Sequence, residues 1–208
     1  MAQAPLAGPE TRQSHGLDQF CGSLEERPGM SILDFSGASQ ATVSFVTGYG
    51  HRLYSDDFVH ELDRVFAPSH TDPARGDFFE NQSNPLLISE FFASALPFED
   101  EIFDGALVWD SLQFLASPLL QQVVAKLHRS LRPGANLLAL FHTEERIETI
   151  PTFAYRIQDH RTIQMYSRSL RKPAQVFNNR SLEKLFQDFR SVKFFLTRDR
   201  LREVIVKR

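Results

Sequence analysis

The stretch Leu96-Pro97-Phe98-Glu99-Asp100-Glu101-Ile102-Phe103-Asp104-Gly105-Ala106-Leu107-Val108-Trp109-Asp110-Ser111-Leu112 passes from an acidic turn into an unbroken apolar run and ends on an aspartate. An apolar run without polar alternation suits a strand buried on both faces, and so a sheet covered on both sides by helices. Immediately downstream, Leu119, Val123, Val124, Leu127 and Leu131 form one stripe of a helix over Pro118 to Leu131. Pro133-Gly134 stops that helix, and Asn136 to Phe141 reads as a second buried strand. A strand, a helix of crossover length and a strand predict parallel neighbours.

The same alternation extends upstream. Met30 to Phe35 is a short apolar run, Gln40 to Thr47 a helix, His51 to Ser55 a strand and Phe58 to Phe66 a helix with Phe58, Leu62, Val65 and Phe66 at helical spacing. Leu17 to Glu26 is a further short helix, broken by Arg27-Pro28-Gly29. Residues 67–85 read as a long loop, and Leu86 to Phe91 fits either a strand or the start of a helix. At the other end, Ser181 starts a helix with Leu182, Leu185, Phe186 and Phe189. Val192–Leu196 and Glu203–Lys207 follow too closely for a crossover and predict an antiparallel hairpin. The fold class is therefore α/β, a Rossmann-like three-layer sandwich whose mostly parallel sheet ends in a C-terminal antiparallel hairpin. Residues 1–14 lack periodicity and read as a flexible tail, and 15–208 as one domain.

Composition narrows the function classes. The chain of 208 residues is 42% hydrophobic and 24% charged, as ordinary globular domains are. Its formal net charge of −3 gives no electrostatic case for nucleic acid or an anionic membrane. The one cysteine, Cys21, builds neither an intramolecular disulfide nor a thiolate metal site, and the histidines form no helical metal-binding pair. No metal is expected. No run is long enough to span a bilayer, and the N-terminus lacks the pattern of a secretory signal, so a cytoplasmic protein is expected.

Three segments carry a family resemblance. Ile32-Leu33-Asp34-Phe35-Ser36-Gly37-Ala38-Ser39, an acidic strand end followed by a small-residue loop, resembles the first motif of class I S-adenosylmethionine-dependent methyltransferases. The 96–112 stretch resembles the family's approach to and passage through its fourth strand, and Leu131-Arg132-Pro133-Gly134-Ala135-Asn136-Leu137-Leu138-Ala139 its turn into the fifth. Phe189 to Asp199 is also similar to a bacterial methyltransferase-like group.

The resemblance implies S-adenosylmethionine as cofactor, cradled by Asp34, Ser36, Gly37 and Ala38. Glycine normally serves in such a loop because it lets backbone approach the ligand. Here Ser36, Ala38 and Gln40 stand at the three glycine positions. Asp56, with Asp57 beside it, matches the acid that binds the ribose diol, although either aspartate equally suits a helix cap. Phe92 and Ala93 fall where the family contacts adenine. Asp110 and Ser111 lie at the carboxyl edge of the sheet, where open α/β sheets bind ligands, and Asp110 also suits an N-cap. His142, on the same edge, is the general-base candidate, so His142 and Asp110 are the catalytic candidates.

Residues 143–180 exceed what a connection needs and hold basic and aromatic side chains, among them Tyr155, Arg156 and Tyr166. They read either as a lid that recognises a small-molecule or protein acceptor, or as a solvated helical excursion packed on the core. Two functions stay open. One is methyl transfer to an acceptor the sequence does not name, which relies mainly on alignment of donor and acceptor. The other is a non-catalytic descendant, a pseudoenzyme that binds a partner or serves as a scaffold. A dehydrogenase is disfavoured because Gly-x-Gly-x-x-Gly is absent. Phe residues on the final hairpin would suit a homodimer or a protein partner.

Overall fold

The computed structural model describes residues 8–25, 27–69, 75–143, 148–195, 197 and 201–208. In chain order these form β1 (Glu10–Gln13), α1 (His15–Leu24), β2 (Ser31–Asp34), α2 (Gln40–Gly48), β3 (Arg52–Ser55), α3 (Phe58–Phe66), α4 (Phe78–Asn81) and α5 (Pro85–Ala95). They continue with β4 (Phe103–Trp109), a 3-10 turn (Ser111–Phe114), α6 (Ser117–Ser130), β5 (Leu131–His142), β6 (Ile150–Ile157), β7 (Thr162–Arg171), α7 (Asn179–Leu185), β8 (Ser191–Phe195) and β9 (Leu201–Lys207).

Six strands make the main sheet in the order β3-β2-β4-β5-β9-β8. The first four run parallel, and β9 pairs antiparallel with both β5 and β8, so the terminal hairpin stands as expected. Side-chain alternation divides the core into two layers. Leu33, Ala106, Val108, Leu137, Ala139 and Phe141 face α3, α5, α6 and α7. Ile32, Leu107, Trp109, Leu138 and Leu140 face α1, α2 and a second sheet.

That second sheet, order β1-β7-β6, was not foreseen. The connection over 143–180 contains a β-hairpin rather than a helical excursion, because Phe153, Tyr155 and Ile157 alternate with Ala154 and Arg156, a period of two that buries one face. Within the stretch read as a tail, Glu10–Gln13 form β1 and pair with Thr162–Met165 of β7. Arg12 anchors β1 through a buried 2.7 Å ion pair with Glu203 of β9, and Glu203 also accepts the Gly16 N–H.

One open local reading is decided and two are corrected. Leu86 to Phe91 is helical, started by Pro85 at the first turn and capped by Asn84. Inside the expected loop over 67–85, Asp77 and Glu80 form a capping box that starts α4, a reciprocal pair the reading passed over. The cap of α7 is Asn178, and Ser181 completes its box three residues on. Among the described residues no helix is long and apolar enough to cross a membrane.

Candidate functional site: a cleft filled by the chain's own hairpin

The carboxyl ends of β2 and β4 meet where ligands bind in open α/β sheets. Asp34 ends β2 and is fully buried. Its carboxylate accepts the Trp109 indole N–H at 2.6 Å, the Ser55 hydroxyl at 2.8 Å and the Ser36 N–H at 3.3 Å. Burial pushes its pKa up to about 6, against these three donors, which favour the ionised form. Asp34 is therefore a bracket for Trp109, and its carboxylate is turned inward to that ring.

Trp109 ends β4 with φ +50°, a strained conformation for a bulky side chain. Its indole lies flat on the Tyr155 ring, centroids 4.7 Å apart and planes 3° from parallel. Tyr155 is 2% exposed, so a residue read as substrate-recognising is core. The hairpin thus places an aromatic ring over the end of β4.

Polar contacts hold it there. Ser36, at the first glycine position of the loop, donates its hydroxyl to the Tyr155 carbonyl at 3.1 Å and accepts the Tyr155 N–H at 2.7 Å. Thr42 Oγ1 accepts the Ile157 N–H at 3.1 Å. Arg168 of β7 donates to Asp57 and, at 3.1 Å, to the Ser36 carbonyl. The serine that departs from the family pattern has become the edge cap of strand β6. Ser36→Ala leaves both Tyr155 backbone groups unpaired and is expected to cost about 1–3 kcal/mol, read by urea unfolding. An unchanged midpoint would show that the hydroxyl does not hold the strand.

The remaining positions separate. Gly37 has φ +81°, as its turn requires, and Ala38 is exposed. Asp57 accepts the His60 N–H as cap of α3 while pairing with Arg168; Asp56, which caps no helix, is exposed, accepts the Asp57 N–H and lines a pocket of about 260 Å³. Phe92 and Ala93 lie on α5 and do not follow a strand, because helix α5 takes the place of the strand considered for that segment. Arg156 stacks over the Tyr166 ring at 4.0 Å, two half-buried side chains on the opposite hairpin face from Tyr155. His142 ends β5, takes its backbone position from Gln113 and has an unpartnered Nε2. Burial, then the Arg12 charge, lowers its pKa to about 4.

Asp110 and Ser111 line one small cavity with Ser36, Asp57, Tyr155 and Arg168. Asp110 stands at the cap position of the 3-10 turn without capping it. Its Oδ2 and the Tyr155 hydroxyl are both buried and unpartnered. Burial pushes Asp110 up to about 7, against the neighbouring Tyr155 hydroxyl and, less strongly, Arg168, and burial with the Asp110 charge pushes the Tyr155 phenol well above its usual value. The cavity measures about 10 Å³, room for no more than a single water. Pockets for small molecules and cofactors run to roughly 300–1,000 Å³. The ring pair and the hairpin backbone fill this part of the cleft, while the pocket of about 260 Å³ stays open beside Asp56, lined also by Leu33, Tyr54, Ser55, Pro97 and Phe98.

The sequence signal for this arrangement was the pattern of replaced glycines. The roles of Trp109 and Arg168 left no local mark, since both contacts join residues far apart in the chain.

Residues 47–139 match the family model of a methyltransferase domain, a match that begins beyond the first loop. No curated protein matches in sequence. Among solved structures, a 1,6-didemethyltoxoflavin-N1-methyltransferase from Burkholderia thailandensis, with 1,6-didemethyltoxoflavin and S-adenosylhomocysteine bound, is 13% identical with a TM-score of 0.48, over 93% of this chain and 76% of that one. A SAM-dependent methyltransferase from Methanosarcina mazei is 17% identical with a TM-score of 0.47, over 88% and 93%. A TehB-like SAM-dependent methyltransferase from Corynebacterium glutamicum is 10% identical with a TM-score of 0.47, over 93% and 87%. Residues 47–139 thus resemble a methyltransferase domain, and the mostly parallel sheet with its closing antiparallel hairpin is a Rossmann-like α/β fold.

Proposed function

We propose that the chain is a non-catalytic member of this fold, a binding module that has exchanged its cofactor cleft for an internal hairpin. The observation that carries the reading is the Trp109–Tyr155 stack, which fills the space between the ends of β2 and β4. Ser36 adds independent support, since the loop residue that departs from the family pattern is bonded to the hairpin.

A hairpin acting as a lid would also close the cleft, and magnitudes decide between the two. Phe153, Tyr155, Ile157, Ile163 and Met165 are all buried against the main sheet. Exposing five large side chains at about 1.5–3 kcal/mol each costs roughly 7–15 kcal/mol. That equals the whole stability of a typical domain, about 5–15 kcal/mol. Lifting the hairpin is therefore close to unfolding the protein.

The test is thermal unfolding and calorimetric titration with S-adenosylmethionine and S-adenosylhomocysteine. A ligand at a hundred times its Kd would stabilise the fold by about 2.7 kcal/mol. The expected result is no change in midpoint and no heat. Micromolar binding, or cofactor retained through purification, would overturn the reading and return methyl transfer to first place.

A further inference from the structure

We infer that the free edge of β3 takes up an extended, basic segment of a partner protein as an added strand. β3 is the outermost strand of the main sheet, and among the described residues no strand pairs with its outer side. The Arg52 and Asp56 N–H groups donate to Met30 and Asp34 of the β2 side at 2.8 and 3.0 Å. In a parallel pair, backbone groups alternate in direction along the strand, so Leu53 and Ser55 turn their N–H and C=O groups away from β2. Such a row is a template for another strand.

Beside it lies a pocket of about 260 Å³, lined by Leu33, Tyr54, Pro97 and Phe98 with Ser55, Ser94 and Asp56. The Tyr54 and Phe98 rings both stand edge-on to Phe103, at 5.4 and 4.9 Å, which fixes the pocket walls. Tyr54 remains 45% exposed. Strand addition combines these two features: backbone pairing supplies affinity, and a pocket for alternate side chains supplies specificity.

The charge of the occupant follows from the surroundings. Asp56 lines the pocket, and Glu99 and Asp100 follow Phe98 on the exposed surface. Asp100 has Arg129 at 3.7 Å, whereas neither Asp56 nor Glu99 is in an ion pair among the described residues. Arg52 guards one end of the edge, leaving the Tyr54–Asp56 end open to a segment whose apolar anchor is flanked by Lys or Arg. The occupant is an extended peptide of another protein rather than a second copy or a small molecule. This inference does not use the Trp109–Tyr155 stack, but it shares Asp56 with the cofactor reading of the sequence.

The experiment selects binders from a random peptide library displayed on phage, using the full chain, with the Phe98→Ala protein as counter-target. Selected peptides are expected to alternate, with one large apolar residue between basic ones, and to shift the Leu53–Asp56 amide resonances. Methylating the peptide nitrogens that pair with β3 is expected to weaken binding by about tenfold or more, as is Phe98→Ala. Three outcomes overturn the proposal: no selection above the counter-target, binding indifferent to N-methylation, or a self-associated chain with this edge already covered. Binding of S-adenosylhomocysteine that the peptide does not displace would overturn the filled-cleft reading alone, whereas mutual displacement would assign the Asp56 pocket to the cofactor and overturn this proposal as well.

Discussion

Tyr155→Ala is expected to destabilise the protein by about 3–5 kcal/mol, the range for removing a large buried aromatic side chain. The ring is 2% exposed, lies on Trp109 and meets Phe153 edge-on at 6.0 Å, so its loss opens a cavity on two aromatic neighbours. Face-to-face contact adds about 0.5–1.5 kcal/mol beyond burial. For a chain of this size each kcal/mol moves the melting midpoint by about 2–4 °C, so a fall of about 10 °C is expected. Trp109 is the one tryptophan, and its emission should shift to the red as the stack is lost. Tyr155→Phe separates the ring from its hydroxyl. The hydroxyl is buried beside the Asp110 carboxyl but makes no hydrogen bond of good geometry, so its removal is expected to cost far less than loss of the ring. An alanine variant with an unchanged midpoint would show that the ring does not fill the core. The alanine variant is also not expected to gain cofactor binding, because Phe153, Arg168 and the hairpin backbone still line the cleft.

How far the sequence carried is visible in these same residues. The unbroken run Phe103–Trp109 announced the central strand because burial on both faces leaves no polar alternation. The helix stripe over Leu119–Leu127 and the close spacing of the last two strands were equally legible, since each is a local period. The hairpin over 150–171 was not read as strands. Its alternation at Phe153, Tyr155 and Ile157 was present, but the basic residues between them suggested a solvated surface. What those rings bury against is set by β4 and α2, far away in the chain, and no window of sequence contains both sides of such a contact. Of the site, Asp34, Ser36, Asp57, Asp110 and Ser111 do come together, at the ends of β2 and β4 and the start of α3. Their roles differ from those expected. Asp34 orients an indole, Ser36 caps a strand and Asp57 caps a helix while pairing with Arg168. Residue type and place were legible there, and the occupant of the cleft was not.

The buried Asp110 carboxyl makes stability depend on pH in a direction opposite to that of a salt-bridged aspartate. In the folded protein its pKa is raised to about 7, well above the usual aspartate value of about 3.9. Between those values the folded chain holds a proton that the unfolded chain has released, so stability falls as pH rises. The contribution is fully present below about pH 4 and lost once pH passes about 7. That difference corresponds to about 4 kcal/mol, at roughly 1.36 kcal/mol for each tenfold change in proton affinity. Asp34, raised to about 6, adds a loss of the same sign that ends sooner. Asp110→Asn removes the first contribution and leaves the second. Urea unfolding of both proteins from pH 4 to pH 8 is therefore expected to give diverging curves, with the asparagine variant ahead by about 4 kcal/mol more at pH 8 than at pH 4. The variant keeps the side-chain shape, so a fold defect would lower its curve evenly and remain distinguishable. Parallel curves would mean that Asp110 is ionised throughout, neutralised by Arg168 across the small cavity. The hairpin would then be held over β4 by attraction between Asp110 and the partly exposed Arg168 guanidinium as well as by the aromatic stack.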